Sequence, residues 1–298
     1  MNEPRLSPCL WFRTEADAAA QFYTSTLGGS ILRRSYYPDA ENVGGYAPGD
    51  LLTVDFSIGG LEFTALNGGP EFRPNPSVSF MVEVEDADAV DRIAARLLDG
   101  GEALMPVDTY PWSTRYGWVQ DRFGISWQLM ATGQPRTTIM PTLLFSGDSA
   151  GRASEALEHY SQIFDTTAEN VSRYGPEEGE REGWIGHASL ALLGARLAVT
   201  DGDTGHGHPF SEAISLQVLC DTQEQIDRYW DALTAKGGRE SQCGWLVDRF
   251  GVSWQVSPAV MAGWLASDDG AGRARAFRAM MQMRKLDLPS LEAAYRGE

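Results

Sequence analysis

Short runs in which apolar and polar residues alternate are interrupted, at regular intervals, by stretches with helical period. Leu6 to Arg13 reads as a strand, and Thr14 is placed to cap a helix running through Ala18, Phe22 and Tyr23 to the Leu27-Gly28-Gly29 stop, with Asp17 at the capping-box position. Ile31 to Tyr37, Leu52 to Ile58 and Leu61 to Asn67 follow as strands, the last two joined by a tight Gly59-Gly60 turn. The β-α-β-β-β order then recurs. Val78 to Val84 is a strand, Asp86 caps a helix carrying Val90, Ile93 and Leu97 on one side as far as Gly100-Gly101, and Ala103 to Val107, Trp118 to Gln120 and Ile125 to Met130 are strands.

The later part of the chain repeats the plan: Pro141 to Phe145, a helix near Gly151 to Phe164, strands near Ile185 to Leu192 and Ala195 to Thr200, then Ile214 to Cys220, a helix Gln223 to Lys236 and a closing hairpin Trp245 to Val256. Ala131 to Ile139, with Gly133 and Pro135, reads as a linker. The repetition reaches the residues themselves. Gly117 to Gln128 and Gly244 to Gln255 are identical at nine of twelve positions, which marks a duplicated domain. The expected division is a first domain over 1–132, a second over 133–258 and, from the helical pattern through Trp264, Phe277, Met280, Leu286, Leu291 and Tyr295, a tail over 259–298. Within the tail, Met280-Met281-Gln282-Met283 suits core packing or a contact between two chains.

In each repeated hairpin the Asp-Arg-Phe-Gly tetrad forms the turn, aspartate bonding its own backbone and glycine taking positive φ. Alternation then sends Ile125, Trp127 and Leu129 one way and Ser126, Gln128 and Met130 the other. If the helices cover the apolar face, Gln128 and Gln255 look onto the concave side of the sheet, where a ligand would lie.

Composition narrows the partners. The 298 residues carry 24 basic and 41 acidic side chains, a net charge of −17, which argues against a phosphate-backbone partner. No apolar run approaches the ~20 residues of a membrane span, and the segment from Met1 to Ser7 lacks the basic start of a signal peptide. Three cysteines, Cys9, Cys220 and Cys243, are odd in number and two of them fall in apolar runs, which argues against a disulfide framework, so a reducing cytoplasm is expected. Only two lysines, Lys236 and Lys285, occur, a bias expected of a GC-rich bacterial source.

Pro8-Cys9-Leu10-Trp11-Phe12, Phe22-Tyr23-Thr24-Ser25-Thr26-Leu27-Gly28, Ala65-Leu66-Asn67-Gly68-Gly69-Pro70, both Gly-Trp-x-x-Asp-Arg-Phe-Gly-x-Ser-Trp-Gln hairpins and the tail Leu286 to Tyr295 resemble the PhnB-like branch of the vicinal oxygen chelate superfamily. That superfamily includes glyoxalase I, bleomycin-resistance proteins and extradiol dioxygenases. The resemblance implies an α+β fold of tandem glyoxalase-like domains, in which paired βαβββ units curl into cups with helices on the outer face. In the superfamily's enzymes a divalent metal in the cup is held from the first and last strands of paired units. Carried over position by position, the resemblance puts the first-strand ligands at Pro8 and Pro141, their counterparts at Ser79 and Ser215, the closing-strand ligands at Gln128 and Gln255, and the remaining one near Phe63 or Thr64 and near Leu197 or Ala198. None of these side chains is an imidazole or carboxylate, so no metal and no cofactor are expected.

Other polar groups compete for a role in the pocket. His187 alternates with Ser189 and is aimed at the cup, as a base or as a hydrogen-bonded structural histidine. Thr53, Asp55 and Ser57 share a face that is either solvent or cup, and Glu83 stands likewise between Val82 and Val84. Tyr110, Trp112, Arg115 and Tyr116, read as a loop, suit a flat or anionic ligand or anchor the loop by burial. His206-Gly207-His208 reads as a flexible lip. The expected function is a metal-free protein that binds a small molecule, with association of two chains left open. The alternatives are a divalent-metal lyase or dioxygenase, the demethylubiquinone methyltransferase named in the branch's label, for which no glycine-rich cofactor loop is visible, and a purely structural module.

Overall fold

The computed structural model describes residues 3–38, 45–205 and 207–298, so His206 lies outside the described residues. Four β-α-β-β-β units run in succession. The first holds β1 (Arg5–Phe12), α1 (Ala16–Leu27), β2 (Gly29–Tyr36), β3 (Leu51–Ile58) and β4 (Leu61–Asn67). The second holds β5 (Val78–Val84), α2 (Ala87–Leu97), β6 (Glu102–Tyr110), β7 (Ser113–Gln120) and β8 (Ser126–Ala131). The third holds β9 (Thr138–Phe145), α3 (Ala153–Phe164), β10 (Ala168–Arg173), β11 (Ile185–Leu192) and β12 (Ala195–Asp201). The fourth holds β13 (Ile214–Cys220), α4 (Gln223–Thr234), β14 (Arg239–Glu240), β15 (Trp245–Val247) and β16 (Ser253–Pro258), followed by tail helices α5 (Met261–Leu265), α6 (Gly270–Met281) and α7 (Leu288–Arg296).

The units combine into two eight-stranded mixed sheets, ordered β14-β15-β16-β13-β1-β4-β3-β2 and β10-β11-β12-β9-β5-β8-β7-β6. Within each unit the first and last strands are parallel neighbours. Between units the first strands meet antiparallel, β1 with β13 and β5 with β9. Each sheet therefore takes one unit from each half of the chain: the outer cup joins units one and four, the inner cup units two and three. The halves of the sequence and the two cups are different divisions of the molecule.

On the convex side, Leu10, Val54, Phe56 and Phe63 of one sheet and Phe80, Trp127 and Leu143 of the other are buried in one continuous core with the helices. Phe63 meets Phe80 edge-on at 5.1 Å, and Tyr23 of α1 packs on Trp127 at 5.0 Å, so the two sheets share that core. The duplicated tetrad is what holds the closing strands in it. Asp248 accepts from the backbone N–H groups of Phe250 (2.9 Å) and Val252 (3.0 Å), from Trp254 Nε1 (2.9 Å) and from the Tyr160 hydroxyl (2.6 Å). Asp121 accepts from Phe123, Ile125 and Trp127 Nε1 in the same way. Gly124 (φ 85°) and Gly251 (φ 92°) take the left-handed bend that closes each loop.

Several local expectations change. Thr14 does not cap α1: the Ala16 amide is taken by Asn67 Oδ1 (3.0 Å), and in the third unit the Ala153 amide is taken by Asp201 Oδ1 (3.0 Å), so residues ending β4 and β12 cap helices across the fold. Asp17 leaves the capping-box geometry and bonds Gln21 and Arg34. The segment read as a loop from Tyr110 to Tyr116 is a β-hairpin, with only Pro111 and Trp112 between its strands. Strand β10, every residue of which is exposed, carried no apolar alternation to announce it. Among the described residues no helix is long and apolar enough to cross a membrane.

Candidate functional site

Strand alternation decides which side chains enter the cups, and it corrects the first-strand position. Pro8 shares its face with Leu6, Leu10 and Phe12 of the core, so Ser7, Cys9 and Trp11 face the cup; on β9, Pro141 likewise sides with Ile139, Leu143 and Phe145, and Thr142 faces inward. The strand registers then define equivalent inward sets. In the outer cup Cys9 pairs with Ser215 and Thr64, Thr64 with Asp55, and Gln255 with Gln217 and Trp245. In the inner cup the matching positions are Thr142 with Ser79 and Ala198, Ala198 with Ser189, and Gln128 with Met81 and Trp118.

The outer cup is hollow. Its cavity, of about 180 Å³, has a floor of Cys9, Arg33, Asp55, Thr64, Gln217 and Gln255. Gln217 Nε2 donates to Gln255 Oε1 (3.0 Å), and Gln255 Nε2 donates to Ser215 Oγ (2.9 Å). The Asp55 carboxylate accepts from the Thr64 hydroxyl (2.9 Å) and lies 2.8 Å from Arg33 Nε. Burial raises the Asp55 carboxyl above its ordinary range, opposed by those two partners. Burial also pushes the Cys9 thiol up to about 12, so the floor carries a neutral sulfhydryl. The roof comes from the tail: Met261, Leu265, Phe277, Met280 and Leu286 close over the polar floor.

The inner cup is filled by its own side chains. Met81, Tyr116, Met140 and Ala198 are buried against one another, with Met105, Tyr110, Trp118 and Met130 packed around them. Here the Tyr116 hydroxyl donates to Gln128 Oε1 (2.7 Å), and Gln128 Nε2 donates to Ser79 Oγ (2.8 Å). One polar group stays orphaned, the buried Thr142 hydroxyl, for which no partner exists among the described residues.

The sequence candidates thus divide. Asp55, Ser215 and Gln255 meet in the outer cup; Ser79, Glu83, Gln128 and His187 share the inner one. Glu83 is held by Arg196 (3.1 Å) and by the Thr138 hydroxyl (2.7 Å). The His187 imidazole is pushed down by burial and by Arg196, against a raising effect of Glu83. Trp112 and Arg115 join neither pocket wall: Trp112 is 59% exposed and stacks on Tyr110, while Arg115 pairs with Asp91 (2.7 Å) at the surface. His159 is a core residue of α3 against Phe250. Sequence reasoning passed over Arg33, Gln217 and the tail roof, and took Cys9 only for a buried thiol; the parity of Ser7, Cys9 and Trp11 against Leu6, Leu10 and Phe12 was the available signal for Cys9.

These donors do not suit a divalent ion. The inward first- and last-strand positions hold Cys9, Thr64, Ser215 and Gln255 in one cup and Thr142, Ala198, Ser79 and Gln128 in the other, and each glutamine oxygen already accepts a hydrogen bond. No group of three His, Cys, Asp or Glu side chains is assembled among the described residues. Oxygen- and nitrogen-ligand sites rest on carboxylates and imidazoles, and none stands at these eight positions.

Paired βαβββ units forming curled mixed sheets are the vicinal oxygen chelate fold. Glyoxalase I from Zea mays shares it, with a TM-score of 0.56 over 88% of this chain and 95% of that one at 14% identity. The model of the family described as 3-demethylubiquinone-9 3-methyltransferase matches residues 4–130 and 137–257, and the chain belongs to that family. A putative 3-demethylubiquinone-9 3-methyltransferase, PhnB protein, from Bacillus cereus is 31% identical over 42% of this chain and 98% of its own, with a TM-score of 0.39. Protein PA1353 from Pseudomonas aeruginosa is 22% identical over 41% of this chain and 93% of its own, with a TM-score of 0.36. No curated protein matches the sequence.

Proposed function

We propose that this protein binds a small organic molecule in the outer cup without a metal, and that the inner cup has become a packed structural element. The observation that carries this reading is the contrast at equivalent positions: a hollow with a polar floor and an apolar roof in one cup, a methionine and tyrosine plug in the other. A cavity of this size holds about one aromatic ring and a substituent, since an engineered cavity of about 150 Å³ takes up benzene. The methyltransferase in the family's description has no support from the residues, because among the described residues no parallel doubly wound sheet with a glycine-rich strand-to-helix turn is present to cradle S-adenosylmethionine. Three free thiols fit residence in a reducing cytoplasm, and the net charge of −17 fits a partner other than nucleic acid.

Methionine methyl groups supply the test, because the two cups carry different ones. Protein labelled with 13C at the methionine methyls is titrated with a library of one-ring fragments. Binding compounds are expected to shift the Met261 and Met280 signals and to leave Met81 and Met140 in place. A library that moves none of these methyls, or only those of the inner cup, overturns the reading.

A further inference from the structure

We propose that the ligand of the outer cup is a small carboxylate with a compact apolar body, its carboxylate received by Arg33 and the Gln255–Gln217 amides and its body lying under the tail helices. This rests on the reading of the outer cup as the binding site and adds the chemical class of its occupant.

The direction of the hydrogen bonds around the floor carries the proposal. Arg33 Nε lies 2.8 Å from Asp55 as an ion pair without hydrogen-bond alignment, and no hydrogen bond joins its two Nη atoms to a described residue. Gln217 and Gln255 each use one amide hydrogen, toward Gln255 Oε1 and Ser215 Oγ; Gln255 also bonds the Cys9 thiol, so the second hydrogen of Gln217 is the amide donor left over. Asp55 is committed to Thr64 and Arg33 and Gln255 Oε1 to Gln217, which leaves Gln217 Oε1 as the open amide acceptor against the Arg33 Nη groups and one Gln217 hydrogen. A floor with surplus N–H groups and few open lone pairs is completed by an acceptor-rich head, and a planar guanidinium matches a carboxylate in geometry as well as in charge.

Net charge does not make the choice. Arg5 and Arg33 line the cavity together with Asp55 and Glu62, two of each sign. Arg5 and Glu62 are exposed at the rim and the Asp55 side chain is 13% exposed and already paired, whereas Arg33, 39% exposed, runs from the rim to Asp55, so a head between rim and floor meets the Arg33 Nη atoms and the amides. Above them the roof offers no hydrogen-bonding side chain: Met261, Leu265, Phe277, Met280 and Leu286 face the ligand's other end. The methionines let that end vary in outline, because their unbranched side chains repack easily.

The test compares benzoate, benzamide and benzylamine, which share one ring and differ in the head, by titration of the methyl-labelled protein. Benzoate is expected to bind about tenfold or more tightly than benzamide, the difference between a charge-assisted and a neutral hydrogen-bonded head, and benzylamine more weakly than either. Arg33→Gln is expected to erase the preference for benzoate. Because that change leaves Asp55 buried without its partner, the double variant Arg33→Gln with Asp55→Asn removes both charges and is expected to give the same loss. Glu62→Gln, which lifts a rim anion, is expected to tighten benzoate alone. Benzamide or benzylamine binding as tightly as benzoate, or a benzoate preference that survives in the double variant, overturns the carboxylate assignment and leaves the site itself standing. Failure of all three compounds to move Met261 and Met280, while other neutral fragments do, overturns it too; failure of every compound overturns the underlying reading.

Discussion

The two cups share a strand plan and differ in what closes them. In the inner cup twelve residues separate Ala103 from Tyr116, and they build the long β6–β7 hairpin that brings Met105, Tyr110 and Tyr116 over the floor. In the outer cup only two residues separate Glu240 from Cys243, so β14 is two residues long and the unit has no long hairpin to lay over the floor. The tail takes over that edge: the Cys243 amide donates to Met283 carbonyl (2.8 Å) and the Gly244 amide to Arg284 carbonyl (2.7 Å), and the tail helices lie above the floor. Tyr116-Gly117-Trp118 and Cys243-Gly244-Trp245 occupy equivalent places. Exchanging a tyrosine whose hydroxyl props Gln128 for a cysteine with no such reach opens space beneath the roof. A hairpin ten residues shorter, with a cover from outside the repeat, therefore distinguishes the hollow cup from the plugged one.

Cavity-forming substitutions probe that contrast most strongly. Met81→Ala in the inner cup, where the side chain is 6% exposed and packed on all sides, is expected to cost about 2–4 kcal/mol of stability, as large-to-small core changes do. Met280→Ala, at a half-buried position in the roof of an existing cavity, is expected to cost less than about 1 kcal/mol. Urea unfolding of the two variants measures both, and equal losses would mean that the outer cup is packed as tightly as the inner one.

A smaller effect attends the prop itself. Tyr116→Phe removes the donor to Gln128 Oε1 and leaves a buried acceptor bare, at an expected cost of about 1–2 kcal/mol by the same measurement. A neutral result would show that Gln128 finds another partner and that the hydroxyl is not what fixes it.

The smallest difference is electrostatic. Asp55 stands where the inner cup has Ser189, and its carboxyl is raised by burial above the ordinary 3.8. A folded-state value above the unfolded one means that the folded protein holds this proton more tightly. The contribution is full below the unfolded value and is lost as pH rises through the folded one. Asp55→Asn removes that term, so the fall of unfolding free energy with pH just above 3.8 should flatten by less than one proton. A slope unchanged from the parent would place Asp55 in water.

Periodicity made much of this visible in advance and failed at identifiable places. Alternation alone put Gln128 and Gln255 on the concave face, because the core demands Trp127 and Trp254 on the other. It would also have placed Cys9, had the position been taken from the parity of Leu6, Leu10 and Phe12 rather than carried over from the resemblance. Strand β10 went unread because a strand exposed along its whole length has no buried face to leave an apolar mark. The pairing of unit one with unit four is not written in any local pattern: β1 and β9 carry similar edges, and the choice between partners is made by long-range packing. The roof was hidden for the same reason, since an amphipathic tail declares that it covers something and not what.

The route of the chain through the two sheets sets an order of assembly. Strands β5 to β12 are contiguous between Val78 and Asp201, so their sheet is complete once the third unit has been made. The other sheet must wait, because β1 closes on β13 across some two hundred residues and its cover follows β16 in the chain. Pairings so distant in sequence form slowly, and the first unit's edge stays unprotected while the ribosome finishes the remainder. The plugged half thus gives the young polypeptide an early nucleus, and the hollow cup is closed only once the helices that follow β16 are in place.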